Sequence, residues 1–297
     1  MKRGWLIYVS LFLKYKLNMK HAFLIIAHNE PELLKILISM LDHQDCDIYL
    51  HIDKKADMTQ FSGIEAHYSD LHIIEDRINV KWGDYSQIRT EIKLFEEAYR
   101  HGGYSYYHLL SGVDLPIKPI DHILEWFENN KGYEYIGAKP ATKKYQKRIK
   151  RRYFMITRKR NPITTIMLGI QKILGLQWNR KIEVWMGHNW GSFTQGFVKH
   201  ILDHKEWIEK HFKYSFCGDE LYKPTLMRHL SKEQNDKGSV RHIDWQRGNP
   251  YTFNRSDYQE LMNSDKLFAR KFSTQDKELI TMIRNSNKQS HRLSWGK

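Results

Sequence analysis

The sequence predicts an α/β fold with a mostly parallel central sheet flanked by helices, and three observations predict it. His21 to Ala27 is a short apolar run ending at His28-Asn29-Glu30-Pro31, the pattern of a buried strand closed by a turn. Glu32 to Leu41 then places Leu33, Leu34, Leu37, Ile38 and Leu41 at helical spacing. Asp47 to Asp53 returns to a strand rich in Ile, Tyr and Leu, so strand, helix and strand follow within about 35 residues, a βαβ unit.

The alternation continues with a weak strand at Leu71 to Ile74, a helix from about Tyr85 to His101 and a strand at Tyr104 to Leu110. Further on, Val184 to Thr194 and Val240 to Trp245 read as strands. Gln195 to Phe212, Leu221 to Leu230 and Thr274 to Ile283 read as helices. Ligands of such a sheet collect at the carboxyl ends of its strands. Those ends are His28-Asn29-Glu30, Asp53-Lys54-Lys55 and Ser111-Gly112-Val113-Asp114.

The chain has 297 residues, 41% hydrophobic and 13% aromatic, with a mean hydropathy of -0.66. That composition belongs to a soluble globular protein and excludes a disordered or membrane-spanning one. No repeat, low-complexity tract or Pro/Gly linker divides it, so residues 19–297 are expected to form one domain. Its two cysteines, Cys46 and Cys217, are too few for a disulfide framework or a zinc site and suit a reducing compartment. At the N-terminus the apolar stretch Trp5 to Leu13 is far shorter than the roughly 20 residues that span a bilayer, and Lys14 stands where a cleavage site needs small residues. Residues 1–18 read equally as a surface anchor and as a mis-assigned start.

The formal net charge of +14 is concentrated in one place. Between Glu134 and Glu183 there is no acid and there are 14 Lys or Arg, among them Arg148, Lys150, Arg151, Arg152, Arg158, Lys159 and Arg160. Such a run is a solvated face, or it attracts nucleic acid, anionic headgroups or a phosphorylated substrate. A basic nucleic-acid-binding protein is the rival reading from another class, but no helix-turn-helix, zinc or RNA-binding signature accompanies it. Nucleic acid is therefore not an expected partner; an anionic membrane surface is. Within this segment Ile163, Ile166, Met167, Ile170, Ile173 and Leu174 recur at helical spacing, as they would in an interfacial helix or in one facing the core.

Chemistry-bearing residues gather in a few motifs. Glu220 in Gly218-Asp219-Glu220 lies just before or in the first turn of a helix, because Pro224 fits only early in one. A carboxylate there serves as a general base or merely complements the helix dipole. Lys271, in Leu267-Phe268-Ala269-Arg270-Lys271-Phe272, and Arg247 are cations able to neutralise a leaving diphosphate without a metal ion. Asp53 ends a strand, as a turn former or as a ligand of base or ribose. Asp45-Cys46-Asp47 precedes a strand and reads as a solvated turn.

The ordered blocks Ala27-His28-Asn29-Glu30, Leu50 to Lys55, Val80-Lys81-Trp82-Gly83, Leu110 to Lys118, Gly187-His188-Asn189-Trp190, Asp219-Glu220 and Leu267 to Phe272 resemble the core-2/I-branching β-1,6-N-acetylglucosaminyltransferases and the related peptide O-xylosyltransferases. The resemblance covers nearly everything after Met19. It implies a GT-A-like, Rossmann-type nucleotide-sugar transferase fold, a UDP-sugar donor, inversion at the anomeric carbon and no cofactor or divalent metal. The chain is expected to divide into a nucleotide-binding half (19–135), the basic segment (136–182) and an acceptor-binding and catalytic half (183–297). By the same resemblance Glu220 is the catalytic base and Lys271 binds the diphosphate. Arg247 matches the family's arginine with one extra residue of spacing. Nucleotide contacts fall to Ala27, His28, Asn29, Asp53, Ser111 and Asp114, with His28 a hydrogen-bonding residue rather than an acid or base. Acceptor contacts fall to Asp244, Trp245, Trp190 and Arg148.

Asn189 stands where the xylosyltransferases carry an acid, which argues against a faithful copy of their mechanism. The expected activity is transfer of GlcNAc to a glycan hydroxyl in bacterial surface polysaccharide synthesis, with UDP-xylose as the alternative donor. The expected acceptor is a glycan or lipid-linked oligosaccharide, and the expected place is the cytoplasm, peripherally on the inner face of the membrane.

Overall fold

The computed structural model describes residues 20–154, 156, 161–230 and 235–294. The expected N-terminal extension 1–18 and the cations Arg158, Lys159 and Arg160 lie outside the described residues. In chain order the first half runs β1 (His21–Ala27), α1 (Pro31–Leu41), β2 (Cys46–Ile52), β3 (Asp70–Ile73), α2 (Ser86–His101), β4 (Tyr106–Ser111), β5 (Asp114–Pro116) and α3 (Ile120–Asn129). The basic segment holds β6 (Lys139–Pro140), α4 (Lys143–Lys150) and α5 (Pro162–Ile173). Then come β7 (Trp185–Met186), β8 (Ser192–Thr194), α6 (Gln195–Asp203), α7 (Lys205–Phe212), α8 (Tyr222–Leu230), β9 (Arg241–Ile243), α9 (Tyr258–Asn263), β10 (Phe268–Arg270) and α10 (Lys277–Ser294).

The central sheet has the order β3-β2-β1-β4-β8; its first four strands are parallel and the edge strand β8 is antiparallel. The mostly parallel sheet flanked by helices is thus as the sequence predicts. The chain lays β2 and β3 on one side of β1 and then crosses to place β4 on the other. Strand order reverses between β1 and β4, and a doubly wound sheet opens a ligand crevice at the carboxyl ends of that pair. Ala27 and Ser111 mark those ends, with Ile26 opposite Ser111 and Ala27 opposite Ile52.

Side-chain alternation explains how this sheet is buried on both faces. Phe23, Ile25 and Ala27 of β1 pack with α1, β5, β10 and α10 on one face. Ala22 and Leu24 point to the other, where α2, α6, α7 and α8 supply Phe95, Val198, Ile208 and Leu226. Truncating one of these aliphatic side chains to Ala costs about 2–5 kcal/mol. A second sheet, β5-β10-β9, sets Asp114 opposite Arg270 and Arg270 opposite Ile243. It thereby carries Lys271 back to the crevice.

Some elements differ from their sequence reading. The helix expected over 195–212 breaks at His204, whose backbone leaves the helical region, so α6 and α7 turn separately. The strand expected over 184–194 splits in two. Between the halves, Gly187 N donates to Glu220 O at 3.0 Å and His188 N to Ile136 O at 2.9 Å, so loops take the hydrogen bonds that a sheet neighbour would. The last helix starts at Lys277 rather than Thr274, because Thr274 is held by Glu30. The stripe on α5 faces outward: the helix buries only Gln171, so the core-facing alternative does not hold.

Candidate active site

The crevice is built by hydrogen bonds among strand ends. Asp53 N donates to Ala27 O at 2.8 Å and Gly112 N to Ile26 O at 2.9 Å. Gly112 is required there, because a Cβ on it would lie 2.8 Å from the Cβ of Ala27. Phe272 N donates to Val113 O at 2.9 Å. Glu30 accepts from Ser273 Oγ at 2.7 Å and from Thr274 N at 3.1 Å, and the Thr274 hydroxyl also donates to it. Burial pushes the Glu30 carboxyl up, but these donors outweigh it and hold it below its ordinary value. The loop carrying Lys271 is therefore moored to the ends of both β1 and β4.

Of the nucleotide candidates, His28 and Asn29 are exposed at the mouth while Ala27 is buried beneath them. Asp53 is buried, accepts from Lys55 N at 2.9 Å and lies 3.4 Å from Lys55 Nζ, so its turn-forming role is present. Asp114 points inward: its Oδ2 accepts from Ser111 N at 2.9 Å and its Oδ1 from Arg270 Nη1 at 2.7 Å. Burial raises the Asp114 carboxyl, opposed by the Arg270 charge. The Ser111–Val113 backbone reaches the crevice, whereas the Asp114 side chain pins β5 to β10.

The two diphosphate candidates differ sharply. Lys271 is half-buried, and among the described residues no side chain pairs with it. Arg247 sits within three carboxylates: Asp244, Asp257 at 2.6 Å and Glu260 at 2.8 Å, with its guanidinium 4.3 Å from the Tyr251 ring centre. The two are neighbours through backbone, since Tyr251 N donates to Asp244 O at 2.9 Å and Lys271 N to Tyr251 O at 3.4 Å.

Glu220 closes a 3-10 turn, Gly218–Glu220, directly before α8. Its side chain is 33% exposed, and its Oε2 accepts from Arg148 Nη1 at 2.6 Å. Arg148 projects from α4 with its guanidinium 4.2 Å from the Tyr145 ring centre. The base candidate and one acceptor candidate are thus in direct contact. Behind them lies a buried polar cluster. Lys223 donates to Glu91, to Asn189 Oδ1 at 3.0 Å and to Asp219 O at 3.2 Å, while Tyr222 OH donates to Glu91 at 2.7 Å. Lys223 and Glu91 side chains are fully buried. Asp219 Oδ2 accepts from Gln87 Nε2 at 3.1 Å. Burial, then the nearby Glu91 and Glu220 charges, push the Asp219 carboxyl up to about 7.

The remaining acceptor candidates lie apart. Trp190 follows Asn189 and carries the Arg270 guanidinium 4.8 Å from its ring centre. Trp245 is exposed, while Asp244 accepts from Gln246 N at 2.6 Å and Arg247 N at 3.1 Å, holding its own turn. The structure adds residues that sequence reasoning missed. Trp82 is exposed and meets Phe216 edge-on at 5.5 Å, and Phe216 lies 5.6 Å from the Arg148 guanidinium. Arg241 is buried, donating to Ser192 Oγ at 2.9 Å and Gly191 O at 2.7 Å. Glu91 left a signal: an acid on the apolar face set by Ile88, Ile92 and Phe95. Arg241 left none, because its partners are distant in sequence.

Among the described residues no group of three or more His, Cys, Asp or Glu is arranged to hold a metal ion. A cleft of about 730 Å³ lies beside α2 and α7, lined by Lys54, Arg77, Arg89, Lys93 and Glu209; it includes neither Glu220 nor Lys271.

The described residues thus offer a carboxylate beside an arginine, Glu220 with Arg148, and, next to the switch point of a doubly wound sheet, a lysine with no side-chain partner among them. Residues 21–265 match the model of the Core-2/I-Branching enzyme family, and the chain belongs to that family. It is similar to Xylosyltransferase 2 of Rattus norvegicus, 19% identical over 295 residues that cover 88% of this chain and 33% of the relative. The chain spans about a third of the length of that relative. Among solved structures it is similar to a protein assigned as a glucose-1-phosphate thymidylyltransferase from Bacillus anthracis, in complex with a sucrose. That likeness is loose, with a TM-score of 0.35 and 11% identity over 74% of this chain and 86% of the other.

Proposed function

We propose that the chain is an inverting glycosyltransferase that moves a sugar, GlcNAc in the first instance, from a UDP-sugar to a glycan hydroxyl without a divalent metal. The observation that carries the reading is a pair of groups suited to the two halves of such a reaction: Glu220, partly exposed beside Arg148, and Lys271, half-buried and without a side-chain partner among the described residues. The Arg148 hydrogen bond uses Oε2 of Glu220 and leaves Oε1 for an acceptor hydroxyl. Glu220 takes the hydroxyl proton as that oxygen attacks the anomeric carbon. The bond to UDP breaks on the opposite face, and UDP departs with the electron pair. Lys271 meets the negative charge that develops on the diphosphate. The nucleoside rests against the ends of β1, β2 and β4.

The xylosyltransferase relative favours a second donor, UDP-xylose. Asn189 does not supply an acid there: it accepts from Lys223 and belongs to the buried cluster. As acceptor we favour a glycan or lipid-linked oligosaccharide of a surface polysaccharide, handled on the inner face of the membrane. A panel of UDP-sugars read as UDP release, with and without EDTA, tests all of this. UDP release from UDP-GlcNAc in EDTA is the expected result; release from UDP-xylose alone selects the second donor, and strict metal dependence contradicts the mechanism.

A further inference from the structure

Helix α5 is built inside out. The one residue it buries is Gln171, whose Oε1 accepts from Arg152 N at 3.0 Å and whose Nε2 donates to Arg152 O at 2.9 Å. Thr164 adds a bond from its hydroxyl to Phe154 O at 2.6 Å. The helix thus holds to the protein by polar contacts, while Ile163, Ile166, Ile170 and Ile173 are 49, 62, 50 and 84% exposed. At about 100° per residue these four fall within one arc of roughly 80°. Leu174 and Leu176, 62 and 42% exposed, extend the same edge. A helix of a soluble protein ordinarily does the reverse, and a contiguous exposed apolar patch marks an interaction surface.

Charge chooses the partner. The exposed cations Lys143, Lys144, Lys147, Lys172, Arg180 and Lys181 come from the helices and loops of this same segment, in which no acid occurs from Tyr135 to Ile182. A second copy of the chain would bring this acid-free, cationic segment against itself. An anionic bilayer offers both complements at once: hydrocarbon for the isoleucines and phosphate headgroups for the lysines. At 12 residues α5 is about 18 Å long, too short to cross a bilayer about 30 Å thick, so it would lie in the plane of the surface. Among the described residues no helix is long and apolar enough to cross a membrane.

We propose that α5 is an in-plane membrane anchor, inserting Ile163, Ile166, Ile170 and Ile173 below the headgroups of an anionic bilayer while exposed cations of the same segment bind those headgroups. This assignment does not depend on the transferase reading. Vesicle co-sedimentation of the parent chain tests it, with phosphatidylcholine alone and with phosphatidylcholine mixed with phosphatidylglycerol, at low and high salt. Binding to the mixed vesicles only, weakened by salt, is expected. The combined variant Ile166→Asn, Ile170→Asn, Ile173→Asn should bind at least about tenfold more weakly.

An independent readout is Ile170→Cys labelled with an environment-sensitive fluorophore, which is selective because Cys46 and Cys217 are both buried. Its emission should shift to the blue on mixed vesicles and not on neutral ones. An unshifted probe, unbound parent, or a triple variant that binds like the parent would overturn the proposal. So would a concentration-dependent dimer that the triple variant abolishes, with no vesicle binding, since it would hand the face to a second copy.

Discussion

The surroundings of Lys271 and of Glu220 are made of different materials. Those of Lys271 are backbone bonded to backbone: Asp53 to Ala27, Gly112 to Ile26, Phe272 to Val113, with Glu30 fastening the loop beyond. Those of Glu220 rest on buried charge, the Lys223–Glu91 pair with Asp219 and Asn189 around it. A backbone frame tolerates loss of a side chain at its surface, so changes there are expected to act on function with little effect on stability. A buried ion pair does not tolerate loss of one member, because the survivor is left uncompensated. Changes at Lys271 are therefore expected to act on function alone, whereas loss of either member of the buried pair behind Glu220 is expected to cost stability as well.

The largest effect that would break this comparison is at Lys223. Lys223→Ala should lower the free energy of unfolding by about 3–5 kcal/mol in denaturant titrations, since it strands Glu91 in the core. Glu91→Ala should do the same, and the double variant should cost clearly less than the two added together. Additive losses would show that the two residues do not act as a pair in supporting the Glu220 region.

Next comes Lys271→Ala, expected to remove roughly 2–4 kcal/mol of transition-state stabilisation in kcat/KM while the unfolding midpoint stays near that of the parent. Arg247→Ala sharpens the point. Three carboxylates already engage Arg247, so kcat/KM should stay within about threefold of the parent. Equal losses for the two variants would mean that Arg247 leaves its carboxylates to share the diphosphate.

A smaller effect concerns pH. Asp219 has its carboxyl raised in the folded chain to about 7, above its unfolded value, so the folded state binds its proton more tightly. Its contribution is present at low pH and lost as pH rises through about 7. Asp219→Asn should flatten that fall between pH 5 and 8 by on the order of 1–2 kcal/mol in unfolding titrations. Glu134, whose carboxyl burial also raises to about 7, keeps its own share of the slope in the variant. An unchanged slope would place the Asp219 proton elsewhere.

Much of the fold was legible because α1 buries Leu33, Leu34, Leu37, Ile38 and Leu41 at helical spacing, while β1 and β2 are short apolar runs buried on both faces. The crevice was legible too, since strand ends follow from strand order. What the sequence left open is directional. The apolar spacing of α5 marks an amphipathic helix but not which side meets the protein, and only the burial of Gln171 answers that. Glu220 and Arg148 are 72 residues apart, and no local pattern announces their contact. Long-range pairs such as Arg270 with Asp114 depend on the second sheet, whose strands are only three residues each and too short to carry a periodic signal.

We propose that Glu220 is the base and that the buried cluster behind it holds it in place. Glu220→Gln keeps the shape and the Arg148 neighbour while removing the proton acceptor. The decisive measurement is sugar transfer by purified Glu220→Gln in EDTA, alongside UDP binding and the unfolding midpoint. The account predicts turnover at least about a hundredfold below the parent with UDP affinity and stability retained. Transfer at the parent rate would contradict it and leave Glu220 as a helix-start residue paired with Arg148.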